Sequence, residues 1–173
     1  MMKALVSRDH KFRVQEIPRP ALREGELLLQ VTACGVCFSD VHKIRFQPLE
    51  EPVVLGHEVA GRVVESESAK FHVGDRVVVA HHVPCGRCHY CRHGNVSMCA
   101  QFKKNNLDPG GFAEFVRVPA EHVENVAFHI PDGLSNNEAS FMEPLGCCVR
   151  GVKRAAMQPS DVVVGVGLGS IGP

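Results

Sequence analysis

The chain has 173 residues, 45% of them hydrophobic, and its nineteen basic residues balance its nineteen acidic ones. That length suits one domain, or one domain and a piece of another, with enough apolar content for a core. The balanced charge removes any electrostatic case for nucleic acid or an anionic membrane surface, and no apolar run approaches the roughly 20 residues that span a bilayer.

The N-terminal stretch MMKALVSRDH lacks the apolar segment of a secretory signal, so a cytoplasmic location is expected. The first part of the chain reads as β structure. KALV, FRVQEI and ELLLQVTAC are short apolar or alternating runs, separated by SRDHK and PRPALREG, which carry turn residues. VVLGHEVAGRVVES, GDRVVVAHH and GGFAEFVRVPA continue the pattern, the last alternating cleanly after a double glycine. Several short strands at close spacing with little helix predict a closed or partly closed barrel. Two helices are expected. Ser39 can cap a short helix through DVHKI. Ser135 and Glu138 form the Ser-x-x-Glu pattern of a capping box, and Pro144 should break or restart that helix before LGCCVRGVKRAA.

At the end, SDVVVGVGLGSIGP reads as a buried parallel-type strand, Asp161 to Val166, running into a glycine-rich turn. Gly167, Gly169 and Gly172 make a G-x-G-x-x-G, the opening of a nucleotide-binding βαβ unit. The helix that would present its N-terminus to a pyrophosphate, and the acidic residue about 20 positions on, are not in the sequence.

Eight cysteines are many for a cytoplasmic chain, and four of them crowd one stretch. CGRCHYCRHGNVSMC places Cys85, Cys88, Cys91 and Cys99 in a C-x2-C-x2-C-x7-C pattern. In a reducing compartment such a cluster reads as metal ligands. Four thiolates in one loop can enclose a tetrahedral zinc with no open position, a structural site. An iron–sulfur cluster is the rival, but the loop offers little apolar cover for one. Zinc would order a lobe that has few apolar residues to hold itself.

A second constellation is dispersed. ACGVCFSDVHK offers Cys34, Cys37, Ser39, Asp40 and His42; GHE adds His57 and Glu58; FMEPLGCC adds Glu143, Cys147 and Cys148. Cys, His and carboxylate from three segments can converge on a second zinc that keeps an exchangeable position, as catalytic zinc does. Other roles are open for each. Glu58 can stand behind the ligands as a carboxylate that never touches metal, and Glu143 can be a helix-end carboxylate. Ser39 can be only a cap, and His42 a solvated residue. Cys34, Cys147 and Cys148 read best as small core residues.

Taken in order, CGVCFSDVH, LGHEVAGRVVE, VGDRVVV, the four-cysteine lobe, GGFAEFVRVPA, EPLGC and GVGLGSIG resemble the zinc-dependent medium-chain alcohol dehydrogenases. EPL further resembles the polyol and threonine dehydrogenase branches. The resemblance implies a mainly β, GroES-like, partly open barrel over residues 1–158. It also implies the first strand and glycine-rich turn of a Rossmann domain over 159–173. It implies a catalytic zinc on Cys37 and His57, with Glu58 and Glu143 competing for the third protein position, and a structural zinc in the lobe. Ser39 stands where the family takes the alcohol proton, and His42 where a histidine passes it to solvent. Asp40 fits a partner that orients His57. NAD or NADP, bound partly at Gly167, Gly169 and Gly172, is the implied hydride acceptor. The substrate is a small alcohol or polyol, and the complete protein is expected to be a homo-oligomer. Phe38 departs from the small residue that the polyol branch carries after its zinc cysteine, which blurs the pocket. Because the fingerprint is cut short, the chain by itself is expected not to turn over alcohol. It reads as a shortened form or fragment of a dehydrogenase, or else as a stand-alone zinc-binding or partner-binding module.

Overall fold

A computed structural model describes residues 1–173 apart from Pro48, Glu50, Lys103, Leu168, Ser170, Gly172 and Pro173. Strands β1 (Met2–Arg8) and β2 (Lys11–Ile17) form an antiparallel hairpin in continuous register, from Met2↔Ile17 to Arg8↔Lys11. The two loop residues, Asp9 and His10, both take positive φ, 48° and 62°. That is the twist a two-residue hairpin turn requires, and a short polar side chain such as Asp tolerates it. β3 (Leu27–Gly35) leads into helix α1 (Phe38–Phe46), and β4 (Val53–Val54) returns to pair with β1.

The larger sheet is antiparallel throughout. It comprises β3, β5 (Glu58–Ser66), β6 (Arg76–Val79), β7 (Phe115–Val118) and β8 (Ala127–His129), in the order β7-β3-β5-β6-β8. The smaller sheet runs β2-β1-β4. The segment after the double glycine stitches the two together: Leu5 N–H donates to the Phe112 carbonyl at 2.8 Å, and Glu114 N–H donates to that of Lys3 at 3.0 Å. The sheets stay open, so the barrel is partial, as the strand pattern predicts.

The core lies under the larger sheet. Leu27, Leu29, Val59, Val63, Val77, Val79, Val116 and Val118 are at most 1% exposed, and Phe71 and Val123 pack with them. Alternate residues of each strand point the same way, so the period-2 runs deliver this cluster directly. Each such side chain contributes roughly 1.5–3 kcal/mol by leaving water.

Helix α3 (Ala120–Asn125) connects β7 to β8. Helix α4 (Asn136–Ser140) carries the expected capping box: Glu138 N–H donates to Ser135 Oγ, and Ser135 N–H donates to the Glu138 carboxylate. Its Ala139 is buried with Ala60, Val78 and Ile130. Helix α5 (Met142–Ala155) then restarts, with Pro144 in its first turn. A missing N–H costs nothing there, because first-turn N–H groups have no intrahelical acceptor.

Two expectations are corrected. The cap of α1 is Cys37, not Ser39. Asp40 reaches back to the Cys37 N–H at 3.2 Å, which starts the helix two residues earlier. The run Asp161–Val166 forms no strand, and Val162, Val164 and Val166 are 95%, 83% and 96% exposed. A parallel strand takes its hydrogen bonds from neighbouring strands, and among the described residues none lies beside it. Gly167 has φ +90°, no helix follows it among the described residues, and Gly172 lies outside them.

Candidate functional site

The α1 start aims a sulfur. Cys37 Sγ accepts the Ser39 N–H at 3.5 Å, while Asp40, 1% exposed, is held from two sides. Its Oδ2 takes the Cys37 N–H, and its Oδ1 takes the Gly56 N–H at 3.3 Å. The same Oδ1 lies 3.4 Å from His57 Nδ1. That contact fixes the imidazole and leaves Nε2 as the nitrogen free to ligate. Gly56 has φ +90°, and its α-carbon faces the Phe112 backbone and ring so closely that a Cβ would overlap them. Only glycine makes this turn, which delivers His57 and Glu58 to the start of β5.

Across the sheet, Gly35 pairs with Glu58. A Cβ on Gly35 would fall on the Glu58 carboxylate, so the glycine leaves the space this side chain fills. The result is a triad in which Cys37, His57 and Glu58 offer ligand atoms all within 4.8 Å of one another. Glu143, the second residue of α5, stands farther off. Its Oε1 lies 3.9 Å from His81 Nδ1 and 3.7 Å from Cys147 Sγ. The fold therefore brings Glu58 to Cys37 and His57, with Glu143 facing them from α5.

The electrostatics are those of a cation site. Burial works against charge on His57, yet Asp40, Cys37 and Glu143 outweigh it and push its pKa up to about 9. Burial also opposes the Asp40 carboxylate, but His57 and two backbone N–H groups hold its pKa below the usual range. Burial raises that of Glu58, and the nearby charges of Glu143 and Asp40 add to the effect. The field that stabilises a proton on His57 equally favours a metal ion in the proton's place.

Through His57 the triad adjoins a cleft of about 570 Å³, within the usual range for small-molecule sites. Ser39, Lys43, His57, His81, His82 and Leu107 are among its walls. His42 is exposed on α1, its ring 5.1 Å from that of Phe46, and among the described residues no hydrogen bond joins it to Ser39. His81 and His82 were not singled out by sequence reasoning. The His81 ring lies 4.5 Å from that of His57. Burial, with His82, His57 and Lys43 adding to it, drives the His81 pKa down to about 3, so it stands neutral. The signal was present: two adjacent histidines one residue beyond a buried strand, β6.

The cysteine lobe is a separate site. Helix α2 (His89–Arg92) and a short 3-10 turn fold Cys85, Cys88, Cys91 and Cys99 so that all four sulfurs lie within 4.8 Å of one another. Two of the separations are 3.5 and 3.9 Å. Tetrahedral zinc–thiolate bonds of about 2.3 Å place sulfurs about 3.8 Å apart, so the lobe suits one ion and leaves no room for a multi-iron cluster. Backbone N–H groups, led by those of Cys85 and Phe102, lower the Cys99 pKa to about 6, while burial and the other thiols raise that of Cys91 to about 12. From α5, Arg150 and Arg154 donate to the Gly94 carbonyl at 3.4 and 3.5 Å, tying the lobe to the domain.

Comparisons with known proteins show what the chain is similar to. Residues 23–132 match the family described as the alcohol dehydrogenase GroES-like domain. Sorbitol dehydrogenase of Bacillus subtilis is 33% identical, over 99% of this chain and 50% of its own length. Erythritol/L-threitol dehydrogenase of Mycolicibacterium smegmatis is 37% identical, over 99% and 52%. Among solved structures, acetophenone reductase from Geotrichum candidum, in complex with NAD, superposes with a TM-score of 0.77 at 26% identity, covering 92% of this chain and 49% of that one. The chain thus spans about half the length of the curated relatives it matches. The family match over residues 23–132 covers more than half of the chain, which therefore belongs to the family described as the alcohol dehydrogenase GroES-like domain.

Proposed function

We propose that this chain is the catalytic domain of a zinc-dependent alcohol or polyol dehydrogenase that uses NAD or NADP in the complete protein. The observation that carries the reading is the convergence of Cys37, His57 and Glu58, from three positions of the chain, on one point beside the cleft. The donor set, one thiolate, one imidazole and one carboxylate, fits zinc with a position left for substrate. Zinc held there would supply Lewis acidity toward an alcohol oxygen.

The remaining steps belong to the chain. Asp40 holds His57 in place and supplies negative charge behind it. Ser39, on the cleft wall, accepts the substrate hydroxyl proton at Oγ. His42, one turn along α1 and exposed, hands the proton to water. Val53, Leu55 and Leu107 line the cleft and keep bulk water from the reacting carbon. Glu143 faces the triad as the alternative carboxylate, able to replace Glu58 when substrate enters. Hydride acceptance falls to the nicotinamide cofactor, and the phosphate cradle it needs is not formed by the described part of the glycine-rich segment. In the lobe, Cys85, Cys88, Cys91 and Cys99 hold a second, structural zinc.

Metal analysis tests the reading. Purified protein is expected to carry two zinc ions, one exchangeable. Cys37→Ser should lose the exchangeable ion and keep the other. A single ion in the wild-type protein, unaffected by Cys37→Ser, would contradict it.

A further inference from the structure

Among the described residues that line the cleft, Lys43 is a cation that the reading above does not use. Ser39 and Lys43 are four residues apart on α1, so they share a face, and both line the cleft. Among the described lining residues Asp40 is the only carboxylate, and it is already committed to His57, Gly56 and Cys37. Among the described residues, Lys43 has no ion-pair partner. The walls nearby, Val54, Leu107 and Pro109, are apolar. A charge among such walls is only partly screened, and His81 and His82 both register the Lys43 ammonium. A lysine in the last turn also complements the α1 dipole, but that role does not require it to face the cleft.

We propose that Lys43 is an anion-binding residue for the substrate, and that the substrate is a small hydroxylated molecule carrying a carboxylate or a phosphate. The hydroxyl meets the Cys37–His57–Glu58 site beside Ser39, and the anionic group rests on the Lys43 ammonium. Four helical residues span about 6 Å, so the two groups are separated by a few bonds. Asn106, also on the cleft wall, supplies a neutral donor to the same anion. The inference deepens the proposed function and rests on it.

Calorimetric binding of two matched pairs to the zinc-loaded protein tests it. The first pair is 2-butanol and 3-hydroxybutyrate; the second is erythritol and erythritol 4-phosphate. In one pair the charged member should bind about tenfold tighter, the size of one charge-assisted hydrogen bond. Which pair shows the preference assigns the anion as carboxylate or phosphate. Lys43→Met should abolish the preference and leave the uncharged member unchanged, while Lys43→Arg should retain it. Raising the salt concentration should shrink it. Equal affinities within both pairs, or a preference that survives in Lys43→Met, would overturn the inference and leave the proposed function standing. Failure of all four compounds to bind would overturn both.

Discussion

Gly35→Ala isolates the part of the site that depends on an absent side chain. The β3 backbone at Gly35 is not in the left-handed region, so alanine can adopt it without strain. The new methyl would, however, stand 2.9 Å from the Glu58 carboxyl carbon and 3.1 Å from its Cβ, with the carboxylate oxygen closer still. The carboxylate must rotate out, and the two strands must give by a few tenths of an ångström. Losing a partner behind a metal ligand costs about 10–100-fold in affinity. Displacing the ligand itself should cost at least that, about 1.4–2.7 kcal/mol. Fold stability should barely move, since alanine gains about 0.4–1 kcal/mol by restricting the unfolded chain, which offsets the crowding. Competition with a chromogenic chelator would follow both zinc ions in one sample, and a thermal melt would follow the fold. The four-cysteine lobe serves as internal control. Wild-type affinity at both sites would refute the reasoning, because Glu58 would then be no ligand.

Asp40→Asn keeps the shape but leaves a single acceptor oxygen where two backbone N–H groups and His57 Nδ1 now converge. It should weaken the triad's zinc by about 10–100-fold and, in metal-free protein, bring the His57 pKa down from about 9 toward its ordinary value, read by NMR titration. His122 is fully buried, and burial depresses its pKa. Its neutral form therefore contributes stability that is complete above the ordinary value of about 6.5 and is lost as pH falls toward the folded-state pKa. His122→Gln, which can still donate to the His81 carbonyl that His122 Nε2 now meets at 3.0 Å, should flatten the acid limb of denaturant-measured stability by up to one proton. An unchanged slope would remove His122 from the account.

Local patterns were the legible ones. The four cysteines lie within one short loop, so spacing alone brings them together. The Ser135–Glu138 box is a contact between residues three apart, and it formed as expected. The start of α1 was misplaced because a thiol is not among the usual capping groups. What determines the start is the Asp40 carboxylate reaching back to Cys37. The valine run after Asp161 has the composition of a parallel strand, but composition cannot provide the neighbouring strands that such a strand needs.

By itself, then, the sequence determined the residue types and the order of both ligand sets, the strand periods that build the core, and the family. Tertiary structure decided what depends on distance between remote segments. The register of β3 against β5 sets Gly35 opposite Glu58 and so favours Glu58 over Glu143 beside Cys37 and His57. The turn after β6 brings His81 and His82 into the cleft, and the pitch of α1 puts Lys43 there with Ser39. Spacing along the chain fixes only contacts a few residues apart. Strand register and helix pitch fix the rest, because they alone convert sequence position into a place beside a residue far along the chain.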